Sequence, residues 1–178
     1  GTPLDILGTQ AHFGIGNRGA LMMKAISAGL DRFGAFGKPM AVTEYNPPSH
    51  GRNTPASVPR LSEEEQAAWS ENFYTLVFSK PYMRQLTRWF MFDGLGGDHP
   101  TGGVLRRDGT PKAEYHAMRK LIRETWSTDW KGPLQPDGAA SFRGYFGTYE
   151  VEAGGFKGRR VRLHAGDAPE QTVRLEKA

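Results

Sequence analysis

The sequence predicts an α/β fold over residues 4–126, and two patterns support this prediction. Three short apolar runs each precede a segment in which apolar residues recur at helical spacing. Such alternation implies parallel strands that are covered by helices. Each run also ends in polar residues, and the C-terminal ends of parallel strands share one rim. We therefore expect a functional site where the strands end.

The first strand and helix are indicated by residues 4–33. Residues 4–12 have the composition of a strand that ends in polar side chains, and glycines follow directly. From residue 18 to residue 33 the apolar residues fall at the spacing of one helix face. Gly34 and Gly37 are suited to end this helix, because glycine favours the helix C-cap.

The second apolar run, residues 40–43, has the composition of a strand that is buried on both faces. Glu44 ends the run, and Pro47 and Pro48 prevent the strand from continuing. A carboxylate at the tip of a buried parallel strand is where α/β barrels place catalytic groups. The alternative that this stretch leaves open is an ion pair on the rim.

The next helix has a clear start. Ser62 and Glu65 have the spacing of a capping box, in which the hydroxyl caps the helix and the carboxylate reaches back. The helix is expected to run through Val77, and Pro81 marks its end. We interpret the aromatic residues along it as core rather than as a binding stripe.

The third apolar run covers residues 86–93 and ends in Asp93. A Gly-rich loop follows at residues 94–103, and Pro111 then occupies the tolerated first position of another helix. This helix is expected to end near Trp126. Its expected inward-facing residues are Ala117, Met118, Leu121 and Ile122.

The composition changes after Trp126. Residues 131–138 are rich in proline and glycine, and three strand-like segments follow at residues 141–153, 159–165 and 172–176. In each segment apolar and polar residues alternate, which is typical of an antiparallel sheet with one solvated face. We therefore interpret residues 131–178 as a small β-sandwich, or part of one, that follows a first domain at residues 1–130.

The composition also excludes several functions. The net charge of +4 comes from scattered basic residues, so no nucleic-acid partner is expected. The absence of cysteine excludes disulfides, thiolate zinc sites and a cysteine nucleophile. The five histidines show no ligand spacing, and neither a metal nor a cofactor is expected. No apolar run approaches the roughly 20 residues that span a bilayer, so no membrane partner is expected.

Four short motifs together resemble one enzyme family. They are Gln-Ala-His at residues 10–12, Thr-Glu-Tyr-Asn at residues 43–46, Trp89 with Asp93, and the run at residues 102–115. In this order they resemble the C-terminal part of family 10 glycoside hydrolases, the retaining endo-β-1,4-xylanases.

The resemblance implies a fold for the whole chain. Residues 4–126 would form about strands 6–8 of a (β/α)8 TIM barrel. Residues 137–151 are similar to the small β domain that follows the barrel in many plant-type members of the family. The fold class is thus expected to be the C-terminal part of a TIM barrel followed by a small antiparallel β-sandwich.

The resemblance also implies roles for individual residues. Glu44 would be the nucleophile, and His12 would hydrogen-bond Glu44 and help to keep it ionised. A second carboxyl group about 5–5.5 Å away would protonate the leaving oxygen. The residues that would contact substrate are Gln10, Tyr45, Asn46, Trp89 and Asp93. Without the resemblance, Gln10 and His12 could equally be satisfied polar groups on a rim, and Trp89 could be core.

The chain departs from the family pattern in three ways. Asn46 stands where the family usually has an aspartate, and it can hydrogen-bond His12 without adding charge. Residues 95–101 lack the tryptophan that usually covers the sugar, and His99 is a possible substitute. The family's acid/base glutamate lies in an Asn-Glu motif on the fourth strand, and this chain has no Asn-Glu dipeptide.

The expected function is hydrolysis of a xylan-like polysaccharide or oligosaccharide by an extracellular or periplasmic glycosidase. The expected partner is the N-terminal part of the same barrel, in the same polypeptide or a companion fragment, and this chain alone should be inactive. Two alternatives stay open: a related glycosidase that acts on another β-glycan, and a degenerate barrel that binds glycan without cutting it.

Overall fold

A computed structural model describes residues 3–13, 20–49, 57, 60–95, 100–164, 167–168 and 171–178. The chain divides into two compact units, Gly1–Arg123 and Glu124–Ala178. The expected domain boundary after residue 130 stays a prediction, because this division rests on compactness and not on independent folding.

The first unit contains three parallel strands that alternate with helices, as the sequence predicts. The sheet order is β1-β2-β3, so β2 is the central strand. Among the described residues, no helix is both long and apolar enough to cross a membrane. In chain order the elements are β1 (Leu7–His12), α1 (Ala20–Gly34), β2 (Met40–Asn46), α2 (Glu63–Phe78), β3 (Met83–Arg88) and α3 (Ala113–Lys120).

The register between β1 and β2 contains one irregularity. Thr9 pairs with Val42, whereas the next residue, Gln10, pairs with Glu44. Thr43 is therefore an extra residue on β2, as in a β-bulge, a device that redirects the side chains after it. As a result, Glu44 lies directly beside Gln10.

The core lies between the sheet and α2. Tyr45 stacks on Phe73 with ring centroids 4.6 Å apart, and Phe13 makes edge contacts with Phe73 at 5.0 Å and with Trp69 at 5.4 Å. Aromatic pairs in these geometries add to the free energy gained by burying their area. Trp69 and Phe73 of α2 are thus core residues, whereas Phe78 at the end of the helix is exposed. The buried members of the cluster are Ala11, Phe13, Val42, Tyr45, Trp69, Phe73 and Val77.

A buried polar network joins β2 and β3 to α2 and α3. Ser70 Oγ donates its hydrogen to Glu114 Oε1 over 2.5 Å. The Tyr45 hydroxyl lies 2.7 Å from Ser70 Oγ and must therefore be the donor in that contact, with Ser70 Oγ as the acceptor. Arg88 forms an ion pair with Glu114 through both guanidinium Nη atoms. Burial raises the pKa of the Tyr45 phenol well above its ordinary value, which keeps the phenol a donor.

A capping box fixes the start of α2, and a π-helical turn follows α3. Ser62 Oγ accepts from the Glu65 amide at 3.1 Å, and Glu65 Oε2 accepts from the Ser62 amide at 2.8 Å, so the predicted capping box is confirmed. The helical segment that begins at Ala113 ends near Trp126, as expected, but its last part, Leu121–Thr125, is a π-helical turn that follows Lys120. The wider turn shifts the helix phase, and Ile122 is 48% exposed rather than inward-facing.

The third strand also differs from its prediction. It ends at Arg88, whereas the apolar run suggested a strand through Asp93. The Trp89 amide still donates to the Tyr45 carbonyl at 3.0 Å. The residues that follow β2 are Pro47 and Pro48, which have no N–H group to continue the pairing with β3. The chain turns there instead, and Asp93 N donates to the Leu105 carbonyl at 2.8 Å.

The second unit contains one antiparallel pair, β4 (Gly147–Val151) and β5 (Arg159–Leu163). The described residues form this two-stranded sheet instead of the expected β-sandwich. Residues 141–146 are not a strand, because the Tyr145 amide and carbonyl are bonded to Thr128 Oγ1 and the Tyr149 hydroxyl. Residues 172–176 are not a strand either, and near them Lys177 makes a single bridge to Phe156.

We expect the stability of the first unit to depend on pH through Asp31 on α1. Lys80 Nζ donates to both Asp31 oxygens at 2.8 and 2.7 Å, and the Tyr82 hydroxyl donates at 2.7 Å. These hydrogen bonds lower the pKa of Asp31, and the bond from Lys80 has the larger effect. A lowered pKa stabilises the fold above the unfolded value of about 4, and the stabilisation is lost as the pH falls further.

The test is thermal unfolding of Asp31→Asn between pH 3 and pH 7. The variant should melt below the wild type at pH 7, and the difference should become smaller as the pH falls from about 4 towards 3. Asp5→Asn is the control, because Asp5 makes no hydrogen bond among the described residues. A difference that does not change with pH would contradict the assignment.

Removing one member of the buried ion pair should destabilise the fold strongly. Arg88→Met leaves the Glu114 carboxylate buried without its cation, and we expect the free energy of unfolding to fall by about 3–5 kcal/mol. Arg88→Met/Glu114→Gln removes the uncompensated charge and should be more stable than Arg88→Met alone. Urea unfolding of both variants tests this, and a wild-type midpoint for Arg88→Met would refute it.

Candidate active site

A carboxylate with two hydrogen-bond donors lies where β1 and β2 end. His12 Nε2 lies 2.7 Å from Glu44 Oε2, and Gln10 Nε2 donates to Glu44 Oε1 at 3.0 Å. Because a carboxylate only accepts hydrogen bonds, His12 Nε2 must carry a proton in this contact. The side chains of His12 and Glu44 are 24% and 19% exposed, so solvent and ligands can reach the pair.

The local sequence explains this grouping. Gln10 and His12 are two residues apart on β1 and therefore point to the same face of the sheet. Ala11 between them is buried in the core. The extra residue Thr43 brings Glu44 opposite Gln10 on the neighbouring strand. The alternation of side chains along β1 and the bulge in β2 thus bring Gln10, His12 and Glu44 together.

Trp89 lies at the same rim, one residue after β3. Its ring is perpendicular to the His12 ring, with centroids 6.2 Å apart. Trp89 is an exposed residue. The backbone of Trp89 is held by the bond from its amide to the Tyr45 carbonyl. The structure therefore brings four of the predicted site residues together: Gln10, His12, Glu44 and Trp89.

Tyr45 is a core residue, in contrast to its expected contact with substrate. It follows Glu44 directly, so its side chain points to the opposite face of the sheet. There it is fully buried, stacked on Phe73 and hydrogen-bonded to Ser70. Tyr45 is the neighbour of Glu44 in the sequence, but strand alternation separates the two side chains.

Asn46 does not make the expected hydrogen bond to His12. Asn46 is fully buried, and neither of its side-chain amide atoms has a hydrogen-bond partner among the described residues. The amide lies against Gly102, where a Cβ atom would be 2.1 Å from Asn46 Oδ1. Asn46 thus supports the packing of a loop and is not open to a ligand.

Asp93 also has a different place from the one predicted. Its Oδ1 accepts from the Gly103 amide at 2.9 Å and from Lys112 Nζ at 3.3 Å. Both Asp93 and Lys112 have largely buried side chains. Asp93 therefore anchors the return of the loop after β3, and it does so with Lys112, a residue that sequence analysis had given no role.

The chemistry available at the site follows from the Glu44 carboxylate. Two donors and partial exposure suit a carboxylate that acts as a nucleophile or a general base. The described residues contain no group of three or more His, Asp or Glu side chains that could hold a metal ion. A retaining mechanism at Glu44 would need a second carboxyl group.

No protein-family model matches the chain. A curated relative, the anti-sigma-I factor RsgI6 of Acetivibrio thermocellus, is 25% identical over 151 residues. This match covers 85% of this chain and 18% of the relative.

Solved structures of bacterial β-glucuronidases are similar to the chain in fold. The enzyme of Bifidobacterium dentium has a TM-score of 0.54 and 23% identity, covering 68% of this chain and 21% of that chain. The enzyme of an uncultured Clostridium species has a TM-score of 0.54 and 22% identity, covering 67% and 23%. A Ruminococcus gnavus enzyme has a TM-score of 0.54 and 20% identity, covering 67% and 22%.

These comparisons concern the fold. The chain spans about a fifth of the length of the proteins it matches. The described strands of this chain do not close a barrel. The chain therefore shares its fold with part of these β-glucuronidases.

Proposed function

We propose that the chain is part of a retaining β-glycoside hydrolase in which Glu44 is the nucleophile. The observation that carries the proposal is the contact of the Glu44 carboxylate with His12 and Gln10 at the end of a parallel strand. This rim is where TIM-barrel enzymes keep their chemistry. The exposed indole of Trp89 beside His12 adds a surface on which a sugar ring can stack.

The proposed reaction has two steps. Glu44 attacks the anomeric carbon and forms a glycosyl ester, while the bond to the leaving oxygen breaks and a second carboxylic acid protonates that oxygen. The second group, now a carboxylate, removes a proton from water. The water oxygen displaces Glu44 from the anomeric carbon, and the sugar is released with its original configuration.

The second carboxyl group is proposed to come from another part of the barrel. A TIM barrel takes eight strands and about 250 residues, whereas the described residues of the first unit form three strands, with β1 and β3 at the edges of the sheet. The N-terminal part of the same barrel, in the same polypeptide or a companion fragment, would pair with these edges and supply the acid. This chain alone would then be inactive.

The proposed substrate is a xylan-like β-1,4-glycan, which places the protein outside the cell or in the periplasm. The sequence motifs of residues 10–12 and 43–46 support this substrate class. A different β-glycan or a β-glucuronide is the first alternative, since the similar structures are β-glucuronidases. Binding without hydrolysis is the second, and it is favoured by the relative that is named as an anti-sigma factor.

Removing the proposed nucleophile should abolish hydrolysis. In the completed barrel, Glu44→Ala should lower the turnover of an aryl β-xyloside by about 10³-fold or more. Azide should restore turnover in the variant, because the small anion can occupy the space of the carboxylate and attack from the same side. The product should be a glycosyl azide of inverted configuration.

The matched control is Glu71→Ala, which removes an exposed carboxylate from α2 and should keep wild-type turnover. Near-wild-type turnover of Glu44→Ala would exclude Glu44 as the nucleophile. A large loss without azide rescue would point to a role for Glu44 other than covalent catalysis.

The substrate class can be tested with a panel of polymers. We expect the completed barrel to hydrolyse xylan faster than glucan, mannan or an aryl β-glucuronide. Faster cleavage of one of the other substrates would replace xylan as the proposed substrate. Retention of xylan on an affinity gel without any hydrolysis would favour the binding alternative.

A further inference from the structure

We propose that Gln66 on α2 is a positioning residue for the candidate site. Its side-chain amide joins the segment that follows β2 to the end of the loop that follows β3, and so fixes both at the rim where β2 and β3 end. We refer to the contacts of Gln66, Thr101 and Ser49 as the clamp. The effect of the clamp on substrate rests on the proposed function, whereas its effect on the two segments does not.

The amide of Gln66 binds two separate parts of the chain. Gln66 is fully buried, and its Nε2 donates to the Pro47 carbonyl at 2.5 Å and to the Thr101 carbonyl at 2.9 Å. Pro47 lies three residues after Glu44, and Thr101 lies in the return of the loop after β3. One NH₂ group thus uses its two hydrogens to hold two chain segments together, and glutamine is suited to this geometry.

Thr101 makes further bonds that cross-link the same segments. Its Oγ1 accepts from the Ser49 amide at 3.1 Å and from Ser49 Oγ at 2.8 Å. Its carbonyl also accepts from Lys112 Nζ at 3.1 Å. Lys112 in turn holds Asp93, the first carboxylate after β3. Thr101 is therefore attached to α2, to the segment after β2 and to the start of α3 at once.

Two glycines allow the segments to approach this closely. A Cβ atom on Gly102 would lie 2.1 Å from Asn46 Oδ1, and one on Gly103 would lie 2.3 Å from the Asp93 backbone nitrogen. A backbone atom cannot move aside as a flexible side chain can, so Gly103 in particular tolerates no larger residue. Close packing and hydrogen bonds thus act on the same two segments.

These contacts have a functional consequence. Fixing the backbone of a loop has an entropic cost. If the loop becomes ordered only when a ligand binds, this cost makes the free energy of binding less favourable. The clamp orders residues 47–49 and 100–103 before a ligand arrives, while Glu44 keeps its own donors on β1. Loss of the clamp should therefore weaken substrate binding more than it affects the chemical step.

Hydrogen exchange of the 178-residue chain tests the clamp directly. Gln66→Leu keeps the volume and removes the amide, and it should speed exchange by about tenfold or more in peptides that contain residues 47–49 and 100–105. Ser62→Ala is the control on the same helix, because it removes only the helix cap. It should speed exchange near residue 62 and leave the two clamped segments unchanged.

Thr101→Val is a second variant that keeps the side-chain shape and removes the hydroxyl acceptor of Ser49. It should speed exchange in the same two segments, which keeps the test decisive if Gln66→Leu does not fold. Wild-type exchange in both segments of a folded Gln66→Leu or Thr101→Val chain would overturn the clamp.

Kinetics of the completed barrel test the link to substrate. Gln66→Leu should raise KM by about tenfold and change kcat by less than about threefold. An unchanged KM together with faster exchange would overturn the positioning role. A completed barrel that hydrolyses no glycoside would overturn the proposed function, and the exchange result would still decide whether the clamp exists.

Discussion

The pairing of β1 with β2 is the constraint on which the candidate site depends. With the extra residue Thr43 between the two registers, Gln10 and His12 reach the two oxygens of Glu44. The same irregularity leaves Val42 and Tyr45 on the helix side, where they enter the core. One inserted residue therefore serves both the site and the packing, and a shift of the register by one residue would exchange the two faces.

The helix α2 joins the core to the segments that follow β2 and β3. Trp69 and Phe73 fill the core behind β2, and Gln66 donates to backbone carbonyls after β2 and β3. Ser70 donates to the Glu114 carboxylate on α3. The helix start is fixed by the capping box at Ser62. Core packing and the position of the rim loops are therefore set by one rigid element.

Local patterns in the sequence predicted the three parallel strands, the capping box and the group of Gln10, His12, Glu44 and Trp89. These features depend on short-range periodicity, on helix-cap chemistry and on the shared rim of parallel strands. The places of Tyr45, Asn46 and Asp93 could not be predicted in this way. Strand alternation opposed the role that the resemblance gave to Tyr45. The surroundings of Asn46 and Asp93 are supplied by Gly102, Gly103 and Lys112, which lie far along the chain.

The base of the loop after β3 is closed by a backbone bond from the Gly94 amide to the Pro100 carbonyl, 2.8 Å long. Both ends of the intervening stretch are thus tied to the frame, whatever residues lie between them. Lengthening such a stretch has a small entropic cost, because each doubling of the loop length adds only about 0.6 kcal/mol to the free energy of closing the loop. Changes in the length or sequence of this stretch should therefore cost the first unit little stability, because the elements on either side keep their own contacts.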